Sequence, residues 1–198
     1  MRIIGDVHGH HDRYLRLLDG CDASVQVGDF GFQYHILSNL DSDRHKIVPG
    51  NHDNYDIIPH FQHFLSTYGL VRHGGQEFFY VRGANSIDKA QRLIGVSWFE
   101  QEELTIGQLF GAVEAFVVAR PSLVISHECP AEVIQHVSRR THWDNVPLSP
   151  SKTAKALQAM WERHQPARWL FGHHHRSFRQ NIGGTEFICL NELEVLDL

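Results

Sequence analysis

The sequence is poor in cysteine. Its three cysteines, Cys21, Cys129 and Cys189, lie far apart among 198 residues. A disulfide framework or a zinc site of the CxxC type needs more cysteines at shorter spacings, so both kinds of protein are excluded. We expect reduced and buried thiols, as in a cytoplasmic protein.

Long apolar runs and an excess of basic residues are also lacking. No run approaches the roughly 20 apolar residues of a membrane-spanning helix, and no signal peptide is expected because the first polar motif begins at Gly5. Acidic residues outnumber basic ones, 23 to 18, for a formal net charge of −5. This balance argues mildly against a nucleic-acid partner, although a local basic patch around Arg139 and Arg140 stays open.

Histidine, in contrast, is abundant, with 16 residues in the chain. Histidine is the commonest metal ligand and carries protons near neutral pH, so the positions of these residues are informative. The rest of the composition, 42% hydrophobic and 21% charged, is typical of a globular protein. The length predicts one domain, residues 1–198, with a substantial core.

Short apolar segments alternate with segments of helical periodicity, which is typical of an α/β protein with parallel strands buried on both faces. The predicted strands of this type are residues 2–4, 23–27, 46–48, 123–125 and 168–171. The clearest predicted helices are residues 11–18, 106–119, 131–137 and 151–164, the last of them capped by Ser149.

The remaining segments give weaker predictions. Strands are expected at 78–81 and 93–96, and an antiparallel pair between 178 and 196 with a turn at Gly183-Gly184. Shorter helices are expected at 34–40 and 56–68, the second with His60 and His63 partly exposed.

A polar motif follows each of the five buried strands. The motifs are Asp6 with His8, Asp29, Asn51-His52-Asp53, His127, and His173 with His175. In parallel sheets, sites lie beyond the carboxyl ends of the strands. A random distribution of His and Asp would not follow this rule five times, so we predict that the motifs form one site.

This site has too many candidate ligands for a single metal ion. Two carboxylates, one amide and four imidazoles are available: Asp6, Asp29, Asn51, His8, His127, His173 and His175. One zinc ion takes about four ligands. Seven suit two ions roughly 3.5–4 Å apart with one bridging carboxylate. Nitrogen and oxygen donors without thiolate favour Mn, Fe, Zn, Ni or Co over Ca or Cu(I), and manganese is our first choice.

The same motifs resemble the five motifs of the calcineurin-like metallophosphoesterases, in order, over residues 6 to 175. They are Gly5-Asp6-Val7-His8-Gly9, Gly28-Asp29, Gly50-Asn51-His52-Asp53, Ser126-His127 and Gly172-His173-His174-His175. The resemblance is to a small single-domain member of the bacterial or phage type, and it implies a four-layer αββα sandwich. It also implies two metal ions, one held by Asp6, His8 and His175 and the other by Asn51, His127 and His173. Asp29 would bridge the two ions, and His174 would point elsewhere.

Two departures from the family pattern limit what the resemblance implies. The protein-phosphatase branch carries Asp and then Arg where this chain has Phe32 and Gln33, so protein phosphatase activity is not expected. The third motif ends in Asp53 rather than Glu. Asp53 could orient the catalytic histidine or cap a following helix, and both roles stay open.

The predicted function is therefore a phosphoric ester hydrolase with two divalent metal ions. A hydroxide that bridges the ions would attack a phosphomonoester or phosphodiester. His52 would be the general acid, because it lies beside the ligand Asn51 and is not needed as a ligand. We expect a small phosphate ester as the partner, without a membrane or an obligate protein partner.

Substrate selection is expected outside the five motifs. Segment 82–103 is the best candidate, with Arg82, Arg92 and Trp98 either as substrate contacts or as ordinary surface and strand residues. A loop at 142–144, His-Trp-Asp, could also reach the site. Two alternatives remain: a nuclease, and a catalytically silent scaffold of the same fold that binds proteins.

Overall fold

The computed structural model describes residues 1–138 and 150–198. Ten strands and four α-helices lie in this part of the chain. The strands are β1 (Arg2–Ile4), β2 (Ser24–Gln26), β3 (His45–Ile47), β4 (Tyr68–His73), β5 (Gln76–Val81), β6 (Leu123–Ser126), β7 (Arg168–Phe171), β8 (Phe178–Ile182), β9 (Thr185–Cys189) and β10 (Val195–Asp197). The helices are α1 (His11–Leu17), α2 (Ile106–Ala119), α3 (Ala131–Ser138) and α4 (Lys152–Arg163).

The strands form two mostly parallel sheets. The first has the order β10-β1-β2-β3, in which only β10 is antiparallel to its neighbour. The second has the order β4-β5-β6-β7-β9-β8, in which the edge strands β4 and β8 are antiparallel. The hairpin of β8 and β9 turns at Gly183-Gly184 as predicted, and β10 then returns to the first sheet.

The alternation of side chains along the strands divides the core into three parts. Ile3 belongs to the cluster between the two sheets, whereas Ile4 packs in the cluster of Tyr14 from α1. In the second sheet, Leu170 faces the first sheet and Trp169 packs among residues of α2 and α4. Because successive side chains of a strand point to opposite faces, each short strand contributes to two cores. The fold is thus the expected four-layer αββα sandwich.

Local hydrogen bonds set where two of the helices begin. Thr105 accepts a hydrogen bond from the Gln108 amide at 3.3 Å, and the Gln108 side chain accepts one from the Thr105 amide at 2.9 Å. This capping box satisfies donors that the first turn of α2 would otherwise leave unpaired. Helix α4 is capped by Ser151, which accepts from the Ala154 amide at 3.0 Å, and not by Ser149, which lies outside the described residues.

The local structure of two segments was predicted wrongly. Residues 93–96 form no strand: Leu93, Ile94 and Val96 are exposed in a loop. The only helix in residues 56–68 is the three-residue 3₁₀ helix Ile58–His60, whereas the 3₁₀ helix His35–Asn39 confirms the short helix expected at 34–40. His63 is buried, with its Nε2 atom 3.1 Å from the Leu40 carbonyl oxygen. The edge strand β4 was not predicted.

No helix in residues 1–138 and 150–198 is long and apolar enough to cross a membrane.

Candidate metal centre

The carboxyl ends of five strands meet at one end of the two sheets. Asp6 and His8 follow β1, Asp29 follows β2, Asn51 follows β3, His127 follows β6, and His173 and His175 follow β7. The structure brings all seven predicted ligands together at this point. Atoms of Asp6, His8, Asp29 and His175 lie within 4.8 Å of one another, and so do atoms of Asp29, His127 and His173. Asp29 is common to both groups.

The first group contains two imidazole nitrogens and two carboxylates. The Nε2 atoms of His8 and His175 are 2.8 Å apart. Asp6 Oδ2 lies 3.3 Å from His175 Nε2, and Asp29 Oδ2 lies 3.6 Å from His8 Nε2. Four donor atoms converge here on one small volume.

The second group is formed around His127, which is completely buried. Its Nδ1 atom lies 2.8 Å from the Val27 carbonyl oxygen, which can only accept a hydrogen bond. Nδ1 therefore carries a hydrogen, and Nε2 is the atom left to face the site. Nε2 lies 3.0 Å from Asn51 Oδ1 and 3.3 Å from Asp29 Oδ1.

Hydrogen bonds behind the site fix the orientation of the Asn51 amide. Its Nδ2 atom donates to Ser86 Oγ at 3.0 Å, and Ser86 Oγ donates in turn to Glu102 Oε2 at 2.6 Å. Asn51 Oδ1 therefore points at His127 Nε2. An amide oxygen, a carboxylate oxygen and an imidazole nitrogen face one another, and only a proton or a cation between them makes this arrangement favourable.

The electrostatics of the buried groups agree with a cation site. Asp6 Oδ1 and Asp29 Oδ2 are buried, and neither has a hydrogen-bond partner among the described residues. Burial alone would lower the pKa of His127, but the neighbouring Asp29 carboxylate raises this pKa to about 10. A metal ion bound at Nε2 would take the place of this proton, and the same carboxylate would stabilise the charge of the ion. Burial lowers the pKa of His173 to about 3, so this imidazole is neutral, as a metal ligand must be.

Two glycines allow the ligands to approach one another closely. A Cβ atom on Gly28 would lie 2.0 Å from His127 Nδ1, and one on Gly50 would lie 2.2 Å from Asp29 Oδ1. Both distances are far below van der Waals contact. The glycine that precedes each of these motifs is therefore required by the packing of the site.

The backbone is strained at four of the seven candidate ligands. His8, Asp29, His173 and His175 have positive φ angles of 45°, 55°, 64° and 49°. Residues other than glycine rarely adopt this left-handed conformation, and it is typical of sites where the surrounding structure imposes it. At each of these four positions the backbone turns sharply, and the side chain points to the common site.

His52 lies at the edge of the centre. Its amide donates to Asp29 Oδ1 at 2.7 Å, and its ring centroid is 5.1 Å from that of His8. Its Nε2 atom contacts Arg92 Nη2. Burial lowers the pKa of His52, and Arg92 adds to this effect while Asp29 opposes it.

Asp53 has neither of the two roles left open by the sequence. Its Oδ2 accepts from the Gly50 amide at 2.8 Å, and its Oδ1 accepts from the Phe30 amide at 3.1 Å. Both oxygens thus bind backbone and not the His52 ring, and no α-helix begins at this point. Burial, together with Asp29, raises the pKa of Asp53 to about 7. Asp53 ties the loop after β2 to the loop after β3.

Sequence reasoning missed three residues that support the ligands. Ser86 and Glu102 orient Asn51, as described above. The buried carboxylate of Glu128 lies 3.7 Å from His173 Nε2 and 3.0 Å from His174 Nε2. His174 therefore turns towards Glu128, in keeping with the expectation that it points elsewhere. The only sequence signal for Glu128 is its position directly after His127.

A cleft of about 480 Å³ opens over the centre. Its lining includes Asp29, Asn51, His52, Arg92 and His173. Of the three candidate substrate contacts in segment 82–103, only Arg92 faces this cleft. Arg82 stacks on Tyr55, 4.4 Å from the ring centroid, and the Trp98 Nε1 atom is buried. Arg139, Arg140 and residues 142–144 lie outside the described residues.

This chain shares its fold with solved structures, among them the following two. The structure named "Putative 5'-Nucleotidase" from Staphylococcus aureus matches with a TM-score of 0.53 and 14% identity, over 96% of this chain and 48% of that one. Phosphopantetheinyl hydrolase from Mycobacterium tuberculosis matches with a TM-score of 0.51 and 15% identity, over 96% and 89% of the two chains. The chain thus spans about half the length of the first protein. Its sequence matches no protein-family model and no curated protein sequence. The metallophosphoesterase-type fold predicted from the motifs is confirmed.

Proposed function

We propose that the protein hydrolyses small phosphate esters with the help of two divalent metal ions. The observation that carries this proposal is the position of Asp29 in both ligand groups, together with the buried and unpaired oxygens of Asp6 and Asp29. The fold shared with a phosphopantetheinyl hydrolase supports a phosphate ester as the substrate. A silent scaffold is disfavoured because all seven candidate ligands are brought together at one site and His52 lies beside them.

The donor set fits two ions of the first transition series. Asp6, His8 and His175 would hold one ion, Asn51, His127 and His173 would hold the other, and Asp29 would contact both. Oxygen and imidazole donors suit Mn, and also Fe, Zn, Ni or Co. When bound, the two ions would lower the pKa of a shared water and neutralise charge on the phosphoryl group.

The remaining step is proton donation to the leaving group, and we assign it to His52. When the phosphorus–oxygen bond to the leaving group breaks, that oxygen carries the electron pair and needs a proton. His52 lines the cleft beside Asn51 and takes part in neither ligand group. A positioned acid of this kind accelerates a reaction by typically ~10²–10⁴-fold.

Three free and buried cysteines support an intracellular, reducing environment as part of this proposal.

The test is to strip the protein of metal with a chelator and add back Mn, Fe, Zn, Ni or Co singly. Bound metal is measured by mass spectrometry, and turnover is followed with p-nitrophenyl phosphate and bis(p-nitrophenyl) phosphate. We expect about two ions per chain and recovery of turnover on at least one ester. A stripped protein that binds no metal, or turns over neither ester with any of these ions, would contradict the proposal.

A further inference from the structure

Segment 86–102 forms a loop whose two ends are fastened together beside the metal centre. The Ser86 amide donates to Glu102 Oε1 at 2.8 Å, and Ser86 Oγ donates to Glu102 Oε2 at 2.6 Å. Both residues are buried. Because Ser86 Oγ also accepts from Asn51, the base of the loop is anchored on a ligand. The base is therefore held independently of the rest of the loop.

The loop places the Arg92 guanidinium in the cleft. Arg92 Nη2 lies 2.8 Å from Asp88 Oδ1 and contacts His52 Nε2. Only 9% of the Arg92 side chain is exposed. This arginine is thus an ordered cation beside the candidate acid, at the mouth of the centre.

The contact with His52 has a chemical consequence. A guanidinium only donates hydrogen bonds, so His52 Nε2 accepts one from Arg92. While it does so, Nε2 cannot give a proton to a leaving group. A phosphate oxygen is a charged acceptor and binds a guanidinium more strongly than a neutral imidazole does. An arriving phosphate would therefore take the Arg92 hydrogen bond and release His52.

We propose that Arg92 binds a non-bridging oxygen of the substrate phosphate, and that the substrates are phosphomonoesters. This inference rests on the proposed function. Two bound metal ions would neutralise charge on two phosphoryl oxygens, and a monoester has a third non-bridging oxygen whose charge Arg92 can neutralise. A diester has only two non-bridging oxygens, so it gains less from Arg92.

Binding of inorganic phosphate to the Mn-loaded protein tests the proposal directly. Isothermal titration calorimetry is carried out on the full chain, on Arg92→Ala, on Arg92→Lys and on the control Arg72→Ala. Arg72 is an exposed arginine paired with Glu77 on the β4–β5 hairpin. We expect phosphate affinity to fall about 30-fold in Arg92→Ala, the size of one charge-assisted hydrogen bond. Arg92→Lys should recover part of this loss, and Arg72→Ala should change affinity less than twofold.

Kinetics on the two esters then test the substrate class. In Arg92→Ala, kcat/KM should fall about 30-fold for p-nitrophenyl phosphate and less than threefold for the bis ester, with unchanged metal content. Equal losses on both esters, or an unchanged affinity for inorganic phosphate, would overturn the proposal. If the unmodified protein turned over neither ester, the proposed function would fail, and the phosphate titration would still decide whether Arg92 binds phosphate.

Discussion

The loops that follow the five strands and the loop of residues 86–102 surround the same cleft, but they are built differently. The strand-end loops are short, carry the seven candidate ligands, four of them on strained backbone, and are held by the sheets. Loop 86–102 is long, exposes Leu93 and Ile94, and is held at its base by Ser86 and Glu102. The first region defines which chemistry is available. The second region contributes to the orientation of Asn51 and, in our proposal, to the choice of substrate.

The largest effect is expected in the strand-end loops, from Asp29→Asn. Loss of the carboxylate shared by both ligand groups should lower kcat on the order of 10³-fold and reduce bound metal. Asp22→Asn is the matched control, because the Asp22 side chain is fully exposed. Mass spectrometry of the purified variants gives the metal content. An Asp29→Asn protein that keeps two ions and full turnover would show that the shared carboxylate is not essential.

His52→Ala changes a residue that belongs to a strand-end loop and contacts Arg92 of the long loop. We expect unchanged metal content and a loss of turnover of ~10²–10⁴-fold on an alkyl phosphate, whose leaving group needs a proton. The loss on p-nitrophenyl phosphate should be much smaller, since nitrophenolate leaves without protonation. Comparable losses on the two esters would remove His52 as the proton donor.

Ser86→Ala tests whether the long loop positions a ligand. Without Ser86 Oγ, the Asn51 amide loses the partner that fixes its orientation. Loss of an outer partner of a metal ligand typically costs about 10–100-fold in metal affinity. Calorimetric titration with Mn should show this loss for one of the two ions. Ser86→Thr keeps the hydroxyl and should keep both sites, so a Thr variant as weak as Ala would point to a packing defect instead.

The smallest effect is expected at the exposed part of the loop. Ile94 is 79% exposed, and Ile94→Ser should change the free energy of unfolding by less than about 0.5 kcal/mol. Leu170→Ala in the core between the sheets should cost about 2–5 kcal/mol. Urea denaturation measures both. A loss at Ile94 as large as that at Leu170 would mean that the loop is part of the folding core.

Secondary structure was predicted correctly from sequence where the local pattern of apolar residues matches the burial of the segment in the folded protein. Buried parallel strands require apolar residues on both faces, so segments such as Ile3-Ile4 and Trp169-Leu170 were recognisable. The sequence predictions failed where the apolar residues of a segment have no neighbouring strand to pair with in the described part of the chain. Residues 93–96 look like a strand, yet no strand within residues 1–138 and 150–198 pairs with them. The edge strand β4 mixes exposed and buried residues, so its sequence carries little periodic signal.

The sequence by itself determined the fold class, the five polar strand ends and the seven candidate ligands, because each depends on residues that are neighbours in the chain. Only the tertiary structure decided the distance of 3.3 Å between Asp29 Oδ1 and His127 Nε2, the hydrogen bond by which Asp53 ties two loops together, and the contact of Arg92 with His52. Those contacts join residues separated by about twenty to one hundred positions. Their geometry depends on how two twisted sheets pack, which no local pattern in the chain encodes.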